Sequence, residues 1–230
     1  MSTPWFPARW PARHPDQIQL YTLNTPNGQK ASICLEEMGL EYEAHTINIM
    51  KNDQFDPDYL KLSPNSKIPT LLDPNGPEGE TVVLMESIVI LQYLADKTGQ
   101  FFPRTYRARL EAQQWLTFQA AHIGPMFGQF GHFHVYAKGK TTDTYARDRY
   151  LNETKRLLKV LDARLQDREH LMGDYSIVDM ATMPWVEGLV DAYKAGDVLD
   201  LDSLPNVSAW RKRVTSRPAY QRGKNVGSLS

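Results

Sequence analysis

The sequence predicts a chain in two parts: an N-terminal α/β unit of order βαβαββα, then a unit built from helices alone. Three observations predict it. Short β-prone runs alternate with helical periodicities between residues 18 and 97. From residue 104 onward only the helical period persists. The two regimes meet at Phe101-Phe102-Pro103. The expected boundaries are therefore an arm over residues 1–16, an α/β domain over 17–100, an all-helical domain over 104–223 and a tail over 224–230.

The elements follow in order. Residues 18–23 carry Ile18, Leu20, Tyr21 and Leu23 and read as a strand. The apolar spacing of Ala31, Ile33, Cys34, Leu35 and Met38 predicts a helix over 27–38, with Pro26 at or near its first position and Gly39 as its cap. Residues 42–49 alternate and predict a second strand. A polar loop over 51–58 leads to one helical turn over 59–62 and a loop over 63–69. Short strands are expected over 70–73 and 81–85, joined by a turn that holds Gly76 and Gly79. A helix over 86–97 closes the unit, with Gly99 after it. This order is the signature of a thioredoxin-like half. Beyond it, a long helical stretch over 104–131 is expected to break at Gly124-Pro125. Helices over 145–165, 176–193 and 204–213 follow, the second kinked at Pro184, and Arg217-Pro218 begins a short last piece. Ser176 and Asp179 have the spacing of a capping box, a folding feature.

Composition narrows the function. Of 230 residues, 41% are hydrophobic and 23% charged, which is ordinary for a globular chain. The formal net charge of -1 implies no general attraction to nucleic acid. Cys34 is the one cysteine, so neither an internal disulfide nor a CxxC redox pair can form. His132 and His134 lack a local Cys or acid partner, and no metal site is expected. No apolar run is long enough to span a bilayer. The Pro-, Trp- and Arg-rich arm has no apolar core of a secretory signal, and a cytoplasmic location is expected. The arm either packs its aromatics on the body or on a partner subunit, or forms a disordered tail.

The stretch Asn24-Thr25-Pro26-Asn27-Gly28 joins the first strand to the first helix. A helix start offers N–H donors and a partial positive charge, and it stabilises an anion. The turn carries hydroxyl and amide groups but no Cys, acid or base. The anion expected here is a thiolate brought by a ligand. Thr25 can donate its O–H, and Asn27 its backbone N–H and side-chain amide, which would lower the pKa of a bound thiol. Thr25 also suits the N-cap of the helix, a role compatible with the first. Cys34 lies deeper among Ile33, Leu35 and Met38 and reads as core, as does Tyr21.

Thr25-Pro26-Asn27-Gly28 after the first strand, Lys67-Ile68-Pro69 before the third and Glu86-Ser87 at the third helix, with the Ser176/Asp179 box in a helical second half, resemble the glutathione transferase family. The resemblance extends over residues 18–223. More narrowly, the stretches 25–30, 63–69, 124–129 and 131–133 resemble the Nu-class or Ure2-like branch, whose bacterial members are glutathione-dependent disulfide-bond oxidoreductases. It implies the glutathione transferase fold, with glutathione as co-substrate. It implies that Ile68, before a cis proline, pairs its backbone with the cysteinyl part of glutathione. Glu86 and Ser87 would hold the γ-glutamyl end, Glu86 near its ammonium; simple complementation of the helix dipole is the other reading of Glu86. Lys67 and Gln54 would reach the glycyl and backbone parts, against a merely solvated Lys67. Arg149 matches the position that contacts a second glutathione, against an ordinary exposed arginine. Phe127, Phe130, His132, Phe133, His134 and Tyr136 would either wall the second-substrate site or pack within the bundle or a dimer.

Disulfide reduction on glutathione sulfurs, with possible hydroperoxide reduction, is the leading expectation. A transferase conjugating electrophiles is the alternative, and a non-catalytic glutathione-binding regulator a third. The resemblance further implies a homodimer with each site near the subunit interface.

Overall fold

The computed structural model describes residues 5–229 and divides into two compact units. The first holds the chain up to Gln100 together with the segment from Pro218; the second holds Phe101–Arg217. The first four residues of the expected arm and the last residue of the tail lie outside the described residues.

In the first unit, β1 (Ile18–Thr22) lies between parallel β2 (Tyr42–Thr46) and antiparallel β3 (Thr70–Asp73), and β4 (Val82–Met85) pairs antiparallel with β3. The sheet order is β2-β1-β3-β4. Every residue of β1 is buried, as befits an inner strand covered on both faces. Pro26 opens α1 (Pro26–Met38) and Gly39 ends it with φ 65. α2 (Pro57–Leu62) and α3 (Ser87–Thr98) complete the expected order. The second strand stops at Thr46, short of the expected residue 49. There Asn48 Oδ1 accepts the N–H of Met50 at 3.0 Å, and a tight turn, Ile49–Lys51, replaces the ladder.

The arm is held on the sheet. Trp10 donates its indole N–H to Thr46 O at 3.2 Å, and the backbone N–H groups of Arg13 and His14 bond Glu43 Oε2 at 2.8 and 2.9 Å. Both acceptors belong to β2, the edge strand, which the arm thereby covers. Phe6 and Trp10 pack on a core of Tyr21, Ile47, Tyr59, Leu62 and Leu72. Phe6 and Trp10 of the described arm thus pack on the body, while Trp5 stays exposed.

One expected boundary differs. Residues 218–223 form α10 (Pro218–Gly223), which belongs to the first unit and not to the helical one. Ser32 Oγ donates to Gly223 O at 2.7 Å, and Arg222 pairs with Glu36 at 2.7 Å. A Cβ on Gly223 would stand 2.5 Å from Ile33 Cα, so only glycine permits this approach to α1. Beyond α10, Gly227 O accepts the N–H of Asn24 at 3.1 Å, so the tail braces the turn between β1 and α1.

The second unit comprises α4 (Tyr106–Phe118), α5 (Gly124–Gly131), α6 (Tyr145–Arg164), α7 (Ile177–Glu187), α8 (Gly196–Leu199) and α9 (Pro205–Thr215). The expected break at Gly124-Pro125 is absent. The backbone stays helical through a widened turn, Gln119–Ile123, in which the Gly124 N–H bonds Gln119 O five residues back, and Pro125 then opens α5. α7 runs through Pro184, and its backbone widens at Gly188–Ala192. The Ser176/Asp179 capping box is present. Asp179 is wholly buried and also accepts the N–H of Leu171 at 3.0 Å and of the Trp210 indole at 2.8 Å, tying α9 to the start of α7.

Gly223→Ala drives a methyl group into the α1 backbone. The expected loss is about 1–3 kcal/mol of stability, read as a fall of several degrees in Tm by calorimetry.

Candidate functional site

Strand register assembles the site in the first unit. Tyr21 pairs with Thr70, and Thr70 with Met85. The residues just after β1, just before β3 and just after β4 therefore meet at one end of the sheet. Those residues are Thr25 and Asn27, Lys67 and Ile68, and Glu86 and Ser87. β2 pairs in parallel with β1 and ends at the same side, with Ile47 N–H on Thr22 O at 2.9 Å, and it leads to the short turn Asp53–Phe55 that carries Gln54.

Thr25 is the N-cap of α1, in extended backbone, and its Oγ1 accepts the N–H of Gly28 at 3.4 Å. Among the described residues its hydroxyl hydrogen has only the Leu23 carbonyl at 3.5 Å, too long to hold it firmly. Asn27 is half-buried in the first helical turn. A Cβ on Gly28 would lie 2.0 Å from Leu23 O, so this glycine lets the helix start close on the strand end.

The Ile68–Pro69 peptide is cis, and Ile68 is half-buried. The Lys67 carbonyl is fixed by the Tyr59 hydroxyl at 2.8 Å and Ser63 Oγ at 2.9 Å, while the Lys67 side chain stands in solvent. Gln54 Oε1 is buried with no hydrogen-bond partner among the described residues, an acceptor awaiting a donor. Its turn is anchored by Asp53, which accepts the Asn48 N–H at 2.9 Å and pairs with Arg9 of the arm.

Glu86 stands one residue ahead of α3, makes no side-chain capping bond and is exposed. Its backbone has φ 69, a region that non-glycine residues enter at a cost of about 1–3 kcal/mol and that gathers at ligand clamps. Ser87 is the first residue of α3 and is nearly buried.

Sequence reasoning missed Lys30. It is only 2% exposed, and its Nζ donates to Ser87 Oγ at 3.3 Å. Burial pulls its pKa from 10.5 down to about 7, against the opposing pull of Glu86. The signal was there: Lys30, Cys34 and Met38 recur every four residues on the buried side of α1.

Cys34 is fully buried, its Sγ 3.7 Å from Met38 Sδ, and burial pushes its thiol pKa far up. Tyr21 is fully buried and stacked on His45, ring centroids 4.7 Å apart. Both are core, as their sequence positions predict.

Arg149 lies on α6 in the second unit, where it lines a cavity of about 930 Å³ with Met126, Tyr145, Tyr150 and Asn152. Register does not bring it to the residues above. Phe127 and Phe130 are fully buried and serve as core; His134 stacks on Phe130 and Phe133 on Tyr150, while Tyr136 is exposed. Packing therefore accounts for the inner members of this cluster.

The chain is similar to known proteins along most of its length. Residues 25–97 match the glutathione S-transferase N-terminal domain, and residues 120–218 the glutathione S-transferase C-terminal domain. The disulfide-bond oxidoreductase YfcG of Escherichia coli is 42% identical over 204 residues, 88% of this chain and 92% of its own. A Pseudomonas putida glutathione transferase solved with one glutathione disulfide per subunit is 49% identical, with TM-score 0.92 and 94% of each chain covered. A Burkholderia graminis glutathione transferase solved with two glutathione molecules per subunit is 51% identical, with TM-score 0.93, covering 94% of this chain and 91% of its own.

The buried Lys30 makes stability depend on pH. Below about 7 both folded and unfolded chains carry its charge, and the desolvation cost is complete. Between 7 and 10.5 the unfolded chain holds a proton that the folded chain has released, so stability rises with pH. Urea unfolding at pH 7 and pH 9 should show the wild type gaining stability relative to Lys30→Met. A constant difference between the two proteins contradicts the assignment.

Proposed function

Since the chain belongs to the glutathione S-transferase family, we propose that it reduces disulfide bonds with glutathione as co-substrate, using glutathione sulfurs and no sulfur of its own. One observation carries this reading: its single cysteine is sealed on the buried face of α1 with a raised pKa, so the reacting thiolate must arrive with a ligand.

Thr25 and Asn27 are assigned to the glutathione sulfur. The weakly held Thr25 hydroxyl and the donors of the α1 start supply hydrogen bonds and positive potential, which favour thiolate over thiol. Ile68 is assigned to the cysteinyl backbone, Glu86 and Ser87 to the γ-glutamyl end, and Lys67 and Gln54 to the rest of the tripeptide. The unpaired Gln54 Oε1 suits an N–H of that ligand. Arg149 is assigned to a second glutathione. The Burkholderia graminis and Pseudomonas putida structures support that occupancy, with two glutathione molecules in one and glutathione disulfide in the other.

The chemistry then balances on small molecules. A bound glutathione thiolate attacks one sulfur of the substrate disulfide; the new S–S bond forms as the old one breaks, and the other sulfur leaves as a thiolate that takes up a proton. A second glutathione thiolate attacks the mixed disulfide at the glutathione sulfur. Glutathione disulfide forms and the second substrate thiol is released, two electrons having passed to the substrate. The protein's share is proximity, orientation and thiolate stabilisation. The same thiolate can reduce hydroperoxides. We assign a homodimer with each site near the subunit interface; Val83, Met85 and Val89 expose apolar surface on β4 and α3. Among the described residues no helix is long and apolar enough to cross a membrane.

Glutathione-dependent reduction of 2-hydroxyethyl disulfide tests the proposal. Wild type and Cys34→Ala should turn over within about twofold of each other, while Thr25→Ala and Asn27→Ala should fall roughly tenfold or more. Loss of turnover in a folded Cys34→Ala protein would refute the assignment of the sulfurs. Conjugation of an aryl halide without disulfide reduction would identify a conjugating transferase, and glutathione binding without either reaction a regulator.

A further inference from the structure

Lys30 has no part in the chemistry assigned above, yet its burial is expensive. A lysine ammonium withdrawn from water costs several kcal/mol unless its surroundings return the loss. It is 2% exposed on α1, and one of its contacts joins it to the start of α3: Nζ lies 3.3 Å from the Oγ of Ser87, the first residue of that helix.

We propose that Lys30 is a positioning residue for the γ-glutamyl carboxylate of glutathione, acting through Ser87. The inference rests on the assignment of Glu86 and Ser87 to the γ-glutamyl end. In its protonated form Lys30 has donors only, so Ser87 Oγ is then the acceptor in this bond, and its own hydrogen is turned to another partner. That fixes Ser87 as a donor toward the site, the polarity a carboxylate needs. The buried charge is weakly screened and adds to the positive end of α3. Exposed Glu86 supplies the opposite sign beside it. The pair Lys30–Ser87 and Glu86 thus present positive and negative potential side by side, matching the carboxylate and ammonium of an α-amino-acid end.

Calorimetric titration with S-methylglutathione, and with its analogue bearing a carboxamide for the γ-glutamyl α-carboxylate, tests this on wild type, Lys30→Met and Lys30→Gln. Wild type should prefer the carboxylate. Lys30→Met should weaken S-methylglutathione about 10–100-fold and leave the carboxamide within about twofold, erasing the preference. In the disulfide assay its KM for glutathione should rise by a like factor, with kcat within about threefold. Equal weakening of both ligands denotes a merely structural lysine and overturns the proposal, as does an undiminished preference. Should Lys30→Met fail to fold, Lys30→Gln decides: full carboxylate preference in that variant overturns the proposal, and its loss supports it. Wild-type protein that binds glutathione without any preference refutes this inference alone. Wild-type protein that binds neither ligand refutes the glutathione reading and the inference with it.

Discussion

The pairing of Tyr21 with Thr70, and of Thr70 with Met85, is the constraint on which the candidate site depends. Three loops far apart in sequence have no attraction for one another. Strand ladders impose their meeting, because each strand delivers its following or preceding loop to the same end of the sheet. A slip of one residue would turn the side chains of β1 to opposite faces and move Thr25, Ile68 and Ser87 apart. Register is secured by burial: Leu20, Leu71 and Leu72 are all but inaccessible, so a slipped sheet loses its core.

α1 shows how one helix serves packing and chemistry together. Its first turn faces the site through Thr25, while its length lies under α10 and beside α3. Cys34 and Lys30 sit on the same buried stripe with opposite energetics. Burying a thiol costs little, and it also raises the pKa and silences the sulfur. Burying an ammonium costs much unless its surroundings return the loss. On the proposed reading, the silent thiol leaves the reacting sulfur to the ligand, and the buried ammonium positions Ser87. The tail adds a second layer, since the Gly227 carbonyl holds Asn24 directly before Thr25.

The order of elements was legible because each is bounded by local chemistry: Pro26 and Gly39 around α1, Gly99 after α3, the Ser176/Asp179 box before α7. Thr25 was picked out by its place at the strand-to-helix boundary, and Ile68 and Ser87 by the resemblance of the stretches 67–69 and 86–87. The allegiance of α10 was not, because periodicity reports a helix without naming what it packs against, and the deciding contact is a missing Cβ at Gly223. The continuity at Gly124-Pro125 was hidden because a widened turn removes the need for a break. Lys30 escaped notice because a lysine in a helix is exposed by default; only its four-residue spacing to Cys34 and Met38 contradicts that.

A thioredoxin-like half without a usable cysteine changes what the fold must accomplish. A protein thiol is fixed in place by its own backbone, and its position costs no binding energy. A ligand thiol must be held by contacts made elsewhere on the ligand, so the sulfur is only as well placed as the tripeptide is anchored. This shifts the demand from the sulfur to the far ends of the ligand. On the proposed reading it would account for features that are wasteful around a protein thiol: a non-glycine residue at φ 69 in Glu86, a buried Gln54 oxygen unpaired among the described residues, and a buried cation behind Ser87. Each costs stability, and each lies at the sheet end where the ligand is assigned. On the proposed reading, the sulfur itself then needs only a few donors at a helix start, which the uncharged turn from Thr25 to Gly28 would supply.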